Sequence, residues 1–139
     1  MSFLYETTVY NKGRMDQGVS YVKDGLALAV SAPKNDLPGT NPEQLIGMAW
    51  ATCLNATIRS IIDKRGIENP SYVKVVVRLH PDTPKGLYFE LHAYAAIKDM
   101  PLEEVEKYLE FAHKHCPVSK LIGHSEHVGI HVETYQIAE

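Results

Sequence analysis

Residues 41–66, NPEQLIGMAWATCLNATIRSIIDKRG, decide how this chain folds. Asn41 reads as an N-cap. Pro42 takes the first helical position, where its missing N–H costs nothing, and Glu43 lies in the first turn beside the positive helix end. From Glu43 to about Arg65 the spacing is helical, with apolar residues from Leu45 and Ile46 through Met48, Ala49, Trp50, Cys53, Leu54, Ala56 and Ile58 to Ile61 and Ile62 covering most of the circumference. That pattern predicts a helix buried nearly all round. Charge returns only at Arg59, Asp63, Lys64 and Arg65, and Gly66 supplies a left-handed stop. So apolar a helix is hard to bury in a lone chain of 139 residues, which makes a dimer physically sensible.

Before this helix, residues 3–10 (FLYETTVY) and 19–30 (VSYVKDGLALAV) are rich in β-branched and aromatic residues, with Asp24-Gly25 placed as a hairpin turn. Three short antiparallel strands fit, followed by a loop, SAPKNDLPGTNPEQ, that cannot extend a strand. After the helix, Tyr72 to His80 and Leu87 to Ile97 read as a long hairpin turning through Pro81, Asp82, Pro84, Lys85 and Gly86. Leu102, Val105, Leu109 and Ala112 recur at helical spacing up to His113, with Glu103, Glu104 and Glu106 near the start. A short helix is predicted from Cys116-Pro117 to near Gly123, and VGIHVETYQI from Val128 as a closing strand. The expected order is three strands, a helix, two strands, two helices and a strand, an α+β arrangement in one domain over residues 1–139.

Apolar residues make up 45% of the chain and charged residues 22%, the profile of a folded globular protein rather than a disordered or fibrous one. The net charge of −3 comes without a dense Lys/Arg stripe, which argues against nucleic acid as a partner. The N-terminal MSFLYETTVYNKGR lacks the basic start and unbroken apolar stretch of an export signal, and no run of about eighteen apolar residues suggests a membrane span. The expected location is therefore the cytoplasm, where two cysteines are too few for a disulfide scaffold and any pairing is functional.

Chemistry centres on those two cysteines. Cys53, on the apolar helix, reads either as a small core hydrophobe or as a thiol that needs a cation to ionise. Cys116 precedes a helical proline, so free N–H groups at a helix start favour its thiolate; otherwise it is a plain N-cap. Arg14, in the turn-like NKGRMDQG, and Glu43 are the candidate partners of a thiolate, each with an alternative reading as solvated arginine and helix-dipole complement. Ten residues along one helix separate Glu43 from Cys53, a rise of about 15 Å, so any link between them has to come from a loop or a second subunit. Leu45, Met48, Ala49 and Trp50 either pack in the core or line a substrate site. His113 and His115 crowd Cys116, with His124, His127 and His131 following, but no CxxC pair accompanies them and their spacing resembles no compact metal-ligand set.

The two cysteine segments together, GTNPEQLIGMAWATCLNA and AHKHCPVSKLIG, resemble the paired signatures of the OsmC/Ohr family of hydroperoxide-reducing proteins. The resemblance implies a two-cysteine peroxidase for organic hydroperoxides in which Cys53 attacks and Cys116 resolves, with Arg14 and Glu43 around the attacking thiolate. It further implies a lipoyl-type dithiol as reductant, no metal, flavin or haem, and an intertwined α+β homodimer with long central helices packed within wrapped antiparallel sheets. Val118 after the CP pair looks like the OsmC branch, whereas GTNPEQL resembles Ohr, so both branches stay open. Local sequence favours Cys116 as the nucleophile and the family reverses that order; the reversal requires Arg14 to activate Cys53 across the fold. Two rival readings are a non-enzymatic protein binding a hydrophobic ligand on the same fold, and a structural metal site around His115.

Overall fold

The computed structural model describes residues 2–137. Its element order is the expected one: β1 (Val9–Lys12), β2 (Gly18–Val22), β3 (Ala27–Val30), α1 (Pro42–Lys64), β4 (Ser71–Pro81), β5 (Leu87–Ile97), α2 (Leu102–His115), α3 (Pro117–Ile122) and β6 (Val128–Val132). The chain divides between Leu45 and Ile46 into two compact units, each with its own three-stranded sheet.

In the first unit β1, β2 and β3 form an antiparallel meander, with Tyr10 opposite Tyr21 and their rings stacked 5.2 Å apart. Only the end of FLYETTVY joins a strand; Phe3, Leu4 and Tyr5 are exposed. The reason lies in the partner strand. Val9 pairs with Val22, and the chain then turns through Asp24 (φ 58°) and Gly25, leaving no backbone for earlier residues to pair with. The unit ends at the helix start predicted from sequence: Asn41 Oδ1 accepts the Gln44 N–H at 2.8 Å, and the Asn41 carbonyl accepts the Leu45 N–H at 3.0 Å.

The second unit holds the core. β4 and β5 pair antiparallel along their full length, from Ser71 opposite Ile97 to Pro81 opposite Leu87. β6 pairs parallel to β5, with Leu91 opposite Val128 and Ala95 opposite Val132, so this sheet departs from the all-antiparallel expectation. The cause is the connection: β5 is followed by two helices that carry the chain back to the start of its own direction, and a crossover of that length delivers a parallel strand. The closing strand stops at Val132, short of the predicted Ile137. Just beyond it the Glu133 N–H still donates to the Ala95 carbonyl at 3.0 Å, and the Glu133 carboxylate accepts from the Tyr72 hydroxyl and the Lys74 ammonium.

Strand alternation gives this sheet two chemically different faces. Leu91, Ala93, Ala95 and Ile97 join a buried cluster with Trp50, Leu54, Ile58 and Ile62 of α1, Val105, Tyr108, Leu109 and Ala112 of α2, and Cys116. Tyr88, Glu90, His92 and Tyr94 alternate with these core residues along β5 and point to the other face. There the Glu90 carboxyl, accepting from His80 and His92, is held down at about 2.

α1 is not buried all round. Gly47, Trp50, Leu54, Ile58 and Ile62 form one buried stripe, while Met48, Ala49, Thr52, Ala56 and Ser60 are exposed, because within its unit the helix has a sheet on one side only. The 23-residue helix is long and apolar enough, by length and composition, to cross a bilayer. Its stripe against the sheet gives that apolarity a core-packing role.

Burial of this stripe predicts a graded response to truncation. Leu54→Ala, at a fully buried position, is expected to lower stability by about 2–5 kcal/mol in urea unfolding at fixed protein concentration. Lys107→Ala, on the exposed side of α2, should stay within about 0.5 kcal/mol. Equal effects from the two would contradict the assignment of the core.

Candidate active site

α2 ends and α3 begins at one residue. Cys116 has extended backbone angles (φ −72°, ψ 123°), its N–H donates to the Ala112 carbonyl at 2.8 Å, and its own carbonyl accepts the Lys120 N–H at 2.9 Å. Pro117 follows at the first helical position, as the sequence suggests. The Cys116 sulfur takes the N-cap role, accepting the Ser119 N–H at 3.5 Å in full burial. A second tie comes from α1, where the buried Trp50 indole N–H donates to Ser119 Oγ at 2.8 Å. That bond draws the middle of α1 against the start of α3. Cys53, one helical turn beyond Trp50, comes within hydrogen-bonding reach of Cys116.

Both thiols are free, and their environments differ. Cys116 has no exposed surface, whereas Cys53 is partly exposed at the margin of the core. Burial pushes the Cys116 thiol up, but the Ser119 N–H and hydroxyl, the Cys53 thiol and the Val118 N–H together outweigh it and leave the pKa below the ordinary thiol value. Burial also pushes Cys53 up. The Val118 N–H opposes that push, and the neighbouring Cys116 adds to it, so the Cys53 pKa ends above the ordinary value. The two free thiols are neighbours of unlike acidity and exposure.

The four residues singled out from sequence fall into two sets. Cys53 and Cys116 meet in the second unit, while Arg14 and Glu43 both belong to the first. Arg14 is exposed in the turn between β1 and β2, and that turn folds back tightly. A Cβ on Gly18 would sit 2.2 Å from the Arg14 carbonyl oxygen, so only glycine permits the conformation. Glu43 is partly exposed in the first turn of α1. Of the residues proposed as either core or substrate lining, Trp50 is in the core and Met48 and Ala49 are exposed.

Three residues around the thiols carry roles the sequence reading did not assign. Trp50 and Ser119 form the buried bond, and the His113 ring lies 6.5 Å from the Trp50 indole with a buried Nδ1 that has no hydrogen-bond partner. Burial pushes the His113 pKa down, which keeps the imidazole neutral beside the thiols. A tryptophan one turn before the helical cysteine, and a serine three residues after the other, were the available signals. His115 plays a local part: its Nδ1 donates to the Phe111 carbonyl, and its ring stacks on the Phe111 ring at 4.2 Å. Among the described residues no three His, Cys, Asp or Glu side chains converge as a metal set.

The Ser119 hydroxyl offers a direct check on this electrostatics. Ser119→Ala keeps the backbone N–H and loses the hydroxyl, so the Cys116 pKa should rise towards the ordinary thiol value in a titration of thiolate absorbance. An unchanged titration would rule the hydroxyl out as a source of its acidity.

The family model described as OsmC-like protein matches residues 33–131. An organic hydroperoxide resistance protein-like 2 from Staphylococcus saprophyticus is 32% identical over 136 residues, covering 93% of this chain and 95% of that protein. The fold is similar to that of a Lactobacillus casei protein, with a TM-score of 0.90 at 31% identity over 99% of this chain and 96% of that one. It is also similar to the organic hydroperoxide resistance protein OhrB of Bacillus subtilis, with a TM-score of 0.79 at 25% identity over 94% and 98% of the two chains. With both cysteine signatures inside the matched region and the α+β fold shared throughout, the chain belongs to the OsmC-like family.

Proposed function

We propose that this protein is a two-cysteine thiol peroxidase that reduces organic hydroperoxides to alcohols. The observation that carries the reading is the contact between two free thiols of unequal acidity and unequal exposure. The Cys53 thiolate attacks the terminal peroxide oxygen, the O–O bond breaks, and the alkoxide leaves as alcohol after taking a proton. Cys53 is then a sulfenic acid. The Cys116 thiolate attacks its sulfur, hydroxide leaves and is protonated to water, and a Cys53–Cys116 disulfide closes. An external dithiol, of the lipoyl type, gives two electrons and two protons to reopen it and becomes a disulfide itself.

Exposure decides the order of events. Cys116 is the more acidic thiol, but with no surface open to solvent it cannot meet a bulky peroxide first, whereas Cys53 can. Its low pKa suits the resolving step, which needs a thiolate already present beside Cys53. The attacking thiol has the opposite need: its raised pKa calls for a cation. We assign that role to the Arg14 guanidinium, with the Glu43 carboxylate as its partner, as the family resemblance implies; a nearby guanidinium favours the charged form of a thiol and lowers its pKa.

The exposed apolar residues of α1, Met48, Ala49 and Ala56, support a homodimer in which a second copy covers this side of the helix and the substrate's organic group finds an apolar wall. Resident metal, flavin and haem are not needed in this cycle, since both electrons come from sulfur. Two unpaired thiols suit a reducing cytoplasm.

Turnover of tert-butyl hydroperoxide and hydrogen peroxide with dihydrolipoamide tests the reading. Wild type should favour the organic peroxide, and Cys53→Ser should fall at least about a thousandfold to the uncatalysed rate. With no dithiol added, Cys116→Ser should consume one equivalent of peroxide and stop, with a sulfenic acid trapped on Cys53. Arg14→Ala and Glu43→Ala should each slow the attack by roughly tenfold or more. Full activity in Cys53→Ser would refute the assignment.

A further inference from the structure

The sheet face opposite the cysteines carries a second arrangement of donor atoms. Glu90 bridges two imidazoles: His80 Nε2–H donates to one carboxylate oxygen at 2.7 Å and His92 Nε2–H to the other at 2.8 Å. With Nε2 committed to the carboxylate, the remaining nitrogen of His92, Nδ1, faces outward and lies 2.9 Å from His131 Nε2. Tyr94 stacks on the His131 ring at 4.8 Å and fixes its plane.

The parallel register explains why the two nitrogens can meet. His92 stands opposite Gly129 and Tyr94 opposite His131, so the imidazoles converge over the backbone of residue 129. A Cβ at that position would sit 2.9 Å from His92 Nδ1 and 3.3 Å from His131 Nε2. Glycine leaves that space, which borders both nitrogens, open.

We propose that His92 and His131 form a two-histidine site for a borderline divalent transition-metal ion of the Zn2+ and Cu2+ class, with Glu90 as the carboxylate that orients His92. A carboxylate on the far nitrogen of a ligating imidazole fixes its tautomer and raises its basicity, and Glu90 stands in that position. In the metal-free protein the proton between the two facing nitrogens is the ring proton of neutral His131. Binding moves it, through solvent, from His131 Nε2 to His131 Nδ1, so that both facing nitrogens offer a lone pair to the ion and both rings stay neutral. Two Zn–N bonds in tetrahedral geometry need the nitrogens about 3.3 Å apart, an opening of roughly 0.4 Å that the space over Gly129 accommodates. Water fills the other positions. The site needs neither cysteine and lies on the face of the sheet away from them.

Calorimetry with zinc chloride tests the site in tag-free protein carrying Cys53→Ser and Cys116→Ser, so that no thiolate competes for the ion; if that variant fails to fold, the same comparison is made in the wild-type background. One ion per chain at micromolar affinity is expected. His131→Ala, at an exposed position, should weaken it more than about tenfold, and Glu90→Gln by about 10- to 100-fold. Gly129→Ala should also weaken it, and Cu2+ in its place should show two nitrogen ligands by electron paramagnetic resonance. No binding at millimolar zinc, or an affinity unchanged in His131→Ala, would overturn the proposal.

Discussion

A single buried hydrogen bond, from the Trp50 indole N–H to Ser119 Oγ, sets the geometry on which the site depends. It joins residues 69 positions apart in the chain and locks the middle of the long helix to the start of the short one. Breaking it would strand a buried donor and a buried acceptor, each costing about 1–3 kcal/mol, so the two helices have one favourable juxtaposition. The rest follows from helix geometry. Cys53 lies one turn beyond Trp50, Cys116 lies three residues before Ser119, and fixing the second pair brings the first into contact.

The same bond places chemistry in an apolar setting without leaving it unpaired. Ser119 serves twice, receiving from Trp50 through its hydroxyl and donating to Cys116 through its backbone. Both the hydroxyl and the N–H lower the Cys116 pKa. Neutral His113 and the indole complete a low-dielectric surround, in which each of these contacts counts for more than it would in water. The outcome is two neighbouring sulfurs in unlike settings: one acidic and enclosed, the other partly exposed and less acidic.

Local physics made most of the fold legible in the sequence. Asn41-Pro42-Glu43 marks a helix start through capping and proline geometry, Cys116-Pro117 marks another, and the alternation along residues 87–97 gives a strand with one buried face. Non-local features were hidden. Phe3 to Thr8 have strand-forming residues but no partner, because the turn at Asp24-Gly25 ends the neighbouring strand first. The apolar circumference of residues 43–65 gives the helix but not which side the sheet covers. The two cysteine segments were legible as family signatures through their motifs, whereas Trp50, Ser119 and His113 look like ordinary core or cap residues until the helices are docked. His92 and His131 are 39 positions apart, and only the parallel register of β5 and β6 brings them together.

In the proposed cycle organic hydroperoxide drives Cys53 and Cys116 into one intramolecular bond. Non-reducing peptide mapping after a single equivalent of an organic hydroperoxide measures this directly. A Cys53–Cys116 cross-link within one chain is expected, with two thiols lost for each alcohol formed. Peroxide that persists beside two reduced cysteines, or oxidation confined to Cys116, would contradict it.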